Sequence, residues 1–178
     1  MTGADLLVRG LVDRGITYLT TLSGNGLNPL YAACRRAGLR LVDFHNEQAA
    51  SFAADASARL TRRLGVVAVS SGGAHLNAMS GVMNAWFDGS PLLLITGASD
   101  HSHTDAGKFQ DMDQPPLAAP LCKYSKLVDR PERVGFYLAE ATARATSGRP
   151  GPVHLTIPAD VLSAEIEPPA AWPATPAS

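Results

Sequence analysis

The chain has 178 residues, of which 46% are hydrophobic and 17% charged, and its formal net charge is −1. This length suits one domain with a substantial core, and the composition excludes a largely disordered chain. A near-neutral charge without a basic patch argues against nucleic acid and anionic membranes as partners. Cys34 and Cys122 lack metal-binding spacing, so we expect two buried free thiols.

Nothing in the sequence indicates a targeting or membrane segment. The first residues do not form a basic stretch followed by an apolar one, as a signal peptide would. The longest apolar run, 91–95, is far too short to span a bilayer. We therefore expect a soluble cytoplasmic protein.

Helical and strand patterns alternate along the chain, and the strands are apolar on both faces. In chain order we predict a helix over 4–14, a strand over 16–21, a helix over 27–37, a strand over 39–44, a helix over 46–63, a strand over 65–70, a helix over 74–87, a strand over 91–96, a loop over 97–108, a short helix over 114–119, a strand over 123–128, a helix over 131–146 and a strand over 152–157. This order predicts a three-layer α/β/α fold with a central parallel sheet. We assign 1–165 to one domain and 166–178 to a disordered Pro/Ala-rich tail.

Four segments follow predicted strands, where parallel sheets bind their ligands. They are the loop Ser23–Gly26, the segment leading to Glu47, the turn Ser71–Gly73 and the polar loop after Thr96. Because the carboxyl ends of parallel strands share one edge of the sheet, we expect these segments to converge there.

Glu47 opens the longest predicted helix, where unpaired backbone amides and the helix dipole favour a carboxylate. A single Glu at such a position usually has only this local role. Small residues crowd the turns that follow it, as though a neighbouring body must come close: Ala49, Ala50, Ser51, Ala53 and Ala54.

Five segments, in order, carry a family resemblance. They are Glu47 with the Ala-rich helix to Ala58-Arg59; 65–72 followed by Asn77-Ala78; 88–97, with its Asp-x-x-Pro strand; Phe109-Gln110-Asp111-Met112-Asp113; and 148–153 with 157–161. Together they resemble the pyrimidine-binding domain of thiamine diphosphate enzymes of the acetohydroxyacid synthase and 2-keto-acid decarboxylase superfamily. The likeness covers nearly the whole chain up to about Val161.

The resemblance implies a catalytic role for Glu47. In that family this Glu hydrogen-bonds the aminopyrimidine ring of thiamine diphosphate and promotes the imino tautomer, whose nitrogen removes the thiazolium C2 proton. The cofactor then serves as electron sink for decarboxylation of a 2-keto acid. A dry, apolar setting would favour this sharing of a proton, and Phe52 with the neighbouring alanines could provide it.

Other positions take weaker roles from the same resemblance. Glu47, Ser71, Gly72, Gly73 and Asn77 would bind the cofactor, and Ser23, Gly24, Asn25, Gly26, His75 and Gln110 would lie on the substrate side. The plain alternatives are a glycine-dependent turn at Asn25-Gly26 and a surface or capping role for His75. His101 and His103 lack a third ligand at a characteristic spacing, so we interpret them as solvated loop residues and assign no metal ligand to this chain.

The chain departs from the family pattern at three places. Gly72-Gly73-Ala74 stands where the family often has Gly-Pro-Gly, Ser57 stands where Tyr is frequent, and the usual His before the Glu is displaced to His45. These departures suggest a specialised branch.

In that family a Gly-Asp-Gly motif on a second domain holds Mg²⁺ and the diphosphate, and this sequence contains no such motif. We therefore expect a partner chain that carries the diphosphate and Mg²⁺, in a heterodimer or an α2β2 heterotetramer. The alternative is that the sequence is cut from a longer protein.

The resulting hypothesis is the pyrimidine-binding subunit of an acetolactate synthase-like lyase or transferase. It would decarboxylate a 2-keto acid, with or without transfer of the acyl carbanion to a second carbonyl, and would need its partner chain. One alternative is a sulfopyruvate or phosphonopyruvate decarboxylase subunit, whose acidic substrate would need basic residues such as Lys108 or Lys123. Another is a non-catalytic regulatory subunit. A nucleotide-binding Rossmann module is disfavoured, because no Gly-x-Gly-x-x-Gly follows the first strand.

Overall fold

The computed structural model describes residues 1–168. The helices are α1 (Gly3–Asp13), α2 (Asn28–Ala37), α3 (Glu47–Thr61), α4 (Gly73–Asp88), α5 (Gln114–Ala118), α6 (Val134–Thr146) and α7 (Ala159–Ser163). The strands are β1 (Tyr18–Thr21), β2 (Arg40–Asp43), β3 (Gly65–Val69), β4 (Leu92–Ala98), β5 (Tyr124–Leu127) and β6 (Pro152–Pro158).

All six strands are parallel and form one sheet in the order β2-β1-β3-β4-β6-β5. The central strands β3, β4 and β6 are almost entirely buried, as expected for a sheet covered on both faces. The chain runs from β1 outward to β2 and then returns past β1 to β3. The direction of winding therefore reverses beside β1, and such a reversal opens a crevice at the carboxyl ends of the strands. The predicted three-layer α/β/α fold is confirmed.

The two helical layers differ in side-chain size. One face of the sheet is covered by α1, α2, α6 and α7, whose core contacts are dominated by leucines. We call this the leucine layer. The other face is covered by α3, α4 and α5, whose buried side chains are mostly alanines. We call this the alanine layer. Because small side chains let helix backbones approach closely, α3 and α4 lie side by side along their length.

Three details differ from or extend the sequence predictions. Strand β4 continues through Gly97 and Ala98, which pair with Ile157 and Pro158 of β6, so the predicted start of a loop at Gly97 is wrong. Hydrogen bonding to a long neighbouring strand holds these two residues in the sheet. After them, 101–103 form a short 3-10 turn. In the predicted tail, the Ile166 amide donates to the Met1 carbonyl at 2.8 Å. The rest of that tail, 169–178, lies outside the described residues.

Cys34 and Cys122 are both buried and free. Burial raises the pKa of each thiol to about 12, so both stay protonated and unreactive at neutral pH. Among residues 1–168, no helix is both long and apolar enough to cross a membrane.

Candidate active site

Glu47 is the first residue of α3 and is half-buried at the carboxyl edge of the sheet. Asn46 caps this helix: its side-chain oxygen accepts hydrogen bonds from the amides of Gln48 at 2.8 Å and Ala49 at 3.3 Å. The first turn is also tied to the sheet, because the Thr20 hydroxyl of β1 donates to the Ala50 carbonyl at 2.8 Å. The carboxylate therefore stands on a rigid helix end.

A second helix reaches the same carboxylate. Asn77, in the second turn of α4, donates from Nδ2 to Glu47 Oε2 at 3.0 Å. The other oxygen, Oε1, has no hydrogen-bond partner within residues 1–168, and both side chains border solvent. One carboxylate oxygen is thus held by Asn77, and the other has no hydrogen-bond partner in the described part of the chain.

The two helices are closest one turn below this pair. A Cβ added to Gly81 of α4 would lie 2.7 Å from the carbonyl carbon of Ser51 and 2.8 Å from the amide of Phe52 on α3. No side chain fits there, so the helices pack backbone to backbone. The neighbouring body that the small residues after Glu47 predict is therefore α4 of the same chain.

The two predicted glycine turns meet beside β1 and β3. The Ser70 hydroxyl donates to the Asn25 carbonyl at 2.9 Å, and a Cβ on Gly24 would lie 2.6 Å from Ser70 Cβ. The loop 23–26 thus lies directly against the end of β3. The structure brings these two predicted groups together through Ser70, which the sequence analysis did not single out.

Gln110 joins this cluster from the loop after β4. Its Oε1 lies 3.4 Å from the Ser70 hydroxyl, and its Cβ would lie 2.8 Å from a Cβ added to Gly72. Gly72 has φ of 65° and Gln110 has φ of 64°, a region that side-chain-bearing residues rarely adopt. Such conformations cluster at functional sites, because the surrounding structure must enforce them.

Two further glycines, Gly26 and Gly97, allow a close contact between the loop after β1 and the end of β4. A Cβ on Gly26 would lie 2.9 Å from the Ala98 carbonyl oxygen, and a Cβ on Gly97 would lie 2.8 Å from the Asn25 carbonyl oxygen. The backbones of the loop after β1 and of the end of β4 therefore approach each other closely.

His75, which the sequence analysis placed on the substrate side, lies in the core. It is fully buried and stacks on His154 of β6, with ring centroids 4.9 Å apart and an interplanar angle of 7°. Neither ring nitrogen of His75 has a hydrogen-bond partner in the described part of the chain, and burial lowers its pKa to about 4. The ring is therefore held in the core against His154, and its lowered pKa keeps it neutral at physiological pH.

His154 is the polar half of this stack. Its ring nitrogens lie 2.8 Å from the Thr96 hydroxyl and 2.8 Å from the Ser125 hydroxyl. Burial and the neighbouring His75 lower its pKa well below the usual range. Both histidines are therefore neutral at physiological pH.

His101 and His103 lie in the exposed turn after β4, and His101 Nδ1 is 2.9 Å from Asp160 Oδ2. Within residues 1–168 no cluster of His, Cys, Asp or Glu could hold a metal ion. The loop 99–113 contains four aspartates and one lysine, so its charge repels anions.

The outer face of the helix pair α3–α4 is apolar and exposed. Its large side chains are between 40% and 86% exposed: Phe52, Leu60, Leu76, Met83 and Phe87. We call this set the apolar face. Phe52 and Ala49 are themselves exposed, so they do not shield Glu47 from water as the sequence suggested. Within residues 1–168 the Glu47 carboxylate therefore borders water.

Comparison with known proteins assigns the chain to a family. Residues 1–117 match the family described as "Thiamine pyrophosphate enzyme, N-terminal TPP binding domain". The chain belongs to this family.

Its relatives include two kinds of enzyme. Over 160 residues it is 41% identical to "2-hydroxyacyl-CoA lyase 2" of Bos taurus, an alignment that covers 90% of this chain and 25% of the relative. Over 174 residues it is 35% identical to "Acetolactate synthase isozyme 3 large subunit" of Escherichia coli (strain K12). This alignment covers 97% of this chain and 30% of the relative. The chain thus spans between a quarter and a third of the length of these relatives.

The residues present fit the pyrimidine half of thiamine diphosphate. Glu47 offers one unpartnered carboxylate oxygen to a ring nitrogen, and no side chain of residues 1–168 obstructs the space around Gly73. The buried hydroxyl of Ser71 has no partner within the described chain and is available to a ligand or water at the turn. The acidic loop 99–113 does not suit a diphosphate.

Proposed function

We propose that this chain provides the pyrimidine-binding half of a thiamine diphosphate-dependent enzyme that breaks or forms the carbon–carbon bond next to a carbonyl carbon. The observation that carries the proposal is the carboxylate of Glu47, held on one oxygen by Asn77 and open on the other. When bound, the cofactor supplies the electron sink for this chemistry.

The chain's own residues would do three things. Glu47 would hold a proton at the pyrimidine ring nitrogen, because Oε1 is free to meet it. The turn Ser71–Gly73 would let the ring lie close to backbone, since a Cβ added to Gly73 would meet no atom of other parts of the described chain within 4 Å. Gln110 and the loop 23–26 would border the substrate, because they pack on the same turn.

A second body must complete the site. The acidic loop 99–113 repels a diphosphate, and Glu47 borders water until something covers it. We propose a partner chain that holds the diphosphate through Mg²⁺ and docks against the apolar face, in an α2β2 assembly. An exposed apolar surface of this kind is typical of an interaction site.

The first reaction that we propose is decarboxylation of a 2-keto acid such as pyruvate, with or without transfer to an acceptor carbonyl. A second candidate is cleavage of a 2-hydroxyacyl-CoA, favoured by the 41% identity to the bovine protein of that name. Both reactions cleave the carbon–carbon bond next to a carbonyl carbon, and they differ in the substrate.

Calorimetry and turnover assays test the proposal. We expect thiamine diphosphate with Mg²⁺ to bind the chain together with its partner, and not the chain alone. Carbon dioxide release from pyruvate would identify the first reaction, and aldehyde release from a 2-hydroxyacyl-CoA the second.

Glu47→Gln should reduce turnover by at least about a hundredfold, because the amide cannot exchange the proton. Gln48→Ala is the control, since it removes an exposed side chain from the same helix turn. Equal activity of Glu47→Gln and wild type would mean that the chain is a non-catalytic subunit.

A further inference from the structure

The helix pair α3–α4 is connected at each successive turn. Asn77 pairs with Glu47, Gly81 meets Ser51, Asn84 donates to Asp55 at 2.6 Å, and Arg59 lies 2.8 Å from Asp88. The two helices are therefore in a fixed register along their whole length.

We infer that Asn77 and Gly81 are positioning residues that set the direction of the Glu47 carboxylate. This inference rests on the proposed function, because it assigns to them a role in the same site. Gly81 follows Asn77 by four residues, and Ser51 follows Glu47 by four, so the tight crossing lies one helical turn below the hydrogen-bonded pair.

The role of Gly81 is to allow the approach. Any side chain there would press on the Ser51 hydroxyl and on the backbone of Ser51 and Phe52, at distances under 3 Å. Backbone cannot move aside as a flexible side chain can, so the helices must separate. The Asn77–Glu47 bond is 3.0 Å long, and hydrogen bonds weaken quickly beyond about 3.5 Å.

The role of Asn77 is to choose one oxygen. A carboxylate at a helix start has several rotamers, and nothing else within the described residues holds the Glu47 side chain. An amide donor on Oε2 leaves Oε1 without a hydrogen-bond partner in residues 1–168. Asn77 therefore acts on the ligand through Glu47.

Nuclear magnetic resonance of the chain alone tests this geometry without any cofactor. The side-chain amide signals of Asn77 should shift in Glu47→Gln and in Gly81→Ala. They should stay unchanged in Ser80→Ala, which alters the half-exposed neighbour of Gly81 on the same helix. Asn77 signals in Gly81→Ala that match wild type would overturn the inference.

Turnover of the complex with its partner tests the consequence. We expect Asn77→Ala and Gly81→Ala to lose about tenfold to a hundredfold, since displacement of a reacting group by about 1 Å has effects of this size. Asn77→Ala changes an exposed side chain, so it keeps the test valid even where Gly81→Ala folds poorly. Full activity in both variants would also overturn the inference.

Asn77→Asp separates positioning from simple packing. At neutral pH a second carboxylate beside Glu47 repels it, so this variant should be less active than Asn77→Ala. Its activity relative to wild type should recover as the pH falls, because a protonated Asp can donate the lost hydrogen bond. An identical pH profile for Asn77→Asp and Asn77→Ala would indicate a structural role only. A wild-type complex without activity would instead refute the proposed function, and the resonance measurements would still decide the geometry.

Discussion

The leucine layer and the alanine layer cover the same sheet with opposite packing strategies. In the leucine layer large side chains such as Leu7, Leu11 and Leu138 fill the space, and the layer buries most of its large apolar groups. In the alanine layer small side chains draw α3 and α4 together and leave larger ones, Phe52 and Phe87 among them, pointing outward. The two faces of one sheet thus differ in packing, and Glu47 and the apolar face both lie on the alanine side.

This difference has a physical basis. Burying a leucine contributes about 2 kcal/mol, so the leucine layer supplies much of the folding free energy. The alanine layer gains less from burial, but its close backbone contacts hold Glu47 and Asn77 in place. Its outward side chains are available to a partner. Substitutions in the two layers should therefore differ in their effects on stability and on function.

The largest change should follow truncation of the leucine layer. Leu138→Ala removes a fully buried side chain of α6 and should lower the free energy of unfolding by about 2–5 kcal/mol. Leu76→Ala is the matched control on the alanine layer, where the side chain is half-exposed, and should change stability by less than about 0.5 kcal/mol. Urea denaturation of the isolated chain measures both. Equal losses would contradict this difference between the two layers.

A second change should appear with acid, at the stack of His75 on His154. The pKa of His75 in the folded chain is about 4, below its unfolded value of 6.5. Between these two pH values the unfolded chain binds a proton at His75 and the folded chain does not. This contribution is fully present above pH 6.5 and is lost as the pH falls towards 4. The loss is on the order of 3 kcal/mol.

Denaturation midpoints between pH 7 and 4 measure this slope. His75→Phe keeps a ring on His154 and removes both unpartnered nitrogens, so the dependence on pH should become shallower. His103→Phe, in the exposed turn, is the control and should leave the slope unchanged. An unchanged slope in His75→Phe would show that other groups control the acid response.

Caps in the two layers should differ in their effect on function. Thr2 caps α1 with its hydroxyl, and Asn46 caps α3. Replacing either by Ala should lower the free energy of unfolding by about 1 kcal/mol. Only Asn46→Ala should also reduce turnover of the complex, because it loosens the helix end that carries Glu47. Reduced turnover in Thr2→Ala at a temperature where it is folded would contradict this.

The smallest change in stability should accompany the largest change in assembly. Phe87→Ser alters the apolar face, and Phe136→Ser alters an exposed aromatic on the leucine layer. Phe87→Ser should shift the free energy of unfolding by less than about 0.5 kcal/mol. Phe136→Ser should shift it by somewhat more, because this ring is less exposed and contacts Tyr137 and Arg133. Affinity for the partner chain, measured by calorimetry, should fall in Phe87→Ser alone. Unaltered affinity would place the partner elsewhere.

The sequence alone was sufficient to predict the order of the main helices and strands, and the positions of Glu47 and the glycine turns at the carboxyl ends of strands. These features depend on local periodicity and turn chemistry. The extension of β4 to Ala98 was not predicted, because pairing with β6 and not local composition keeps Gly97 in the sheet.

Side-chain contacts between distant segments could not be predicted from the sequence. The pairing of Asn77 with Glu47 depends on how α3 crosses α4, and the burial of His75 depends on the position of β6. One signal was available: a glycine in the middle of a helix is costly, so Gly81 pointed to a close approach. The water exposure of Glu47 was likewise hidden, since apolar neighbours in sequence face outward.

The reciprocal contact of Gly26 and Gly97 has an evolutionary consequence. Each glycine leaves room for the other's loop, so a side chain at either position forces apart the same two backbones. Once one glycine is replaced, the two backbones are already separated. Replacing both should therefore cost less stability than the sum of the two single replacements. Lineages of this domain should therefore keep both glycines or lose both, and single replacements should be rare intermediates.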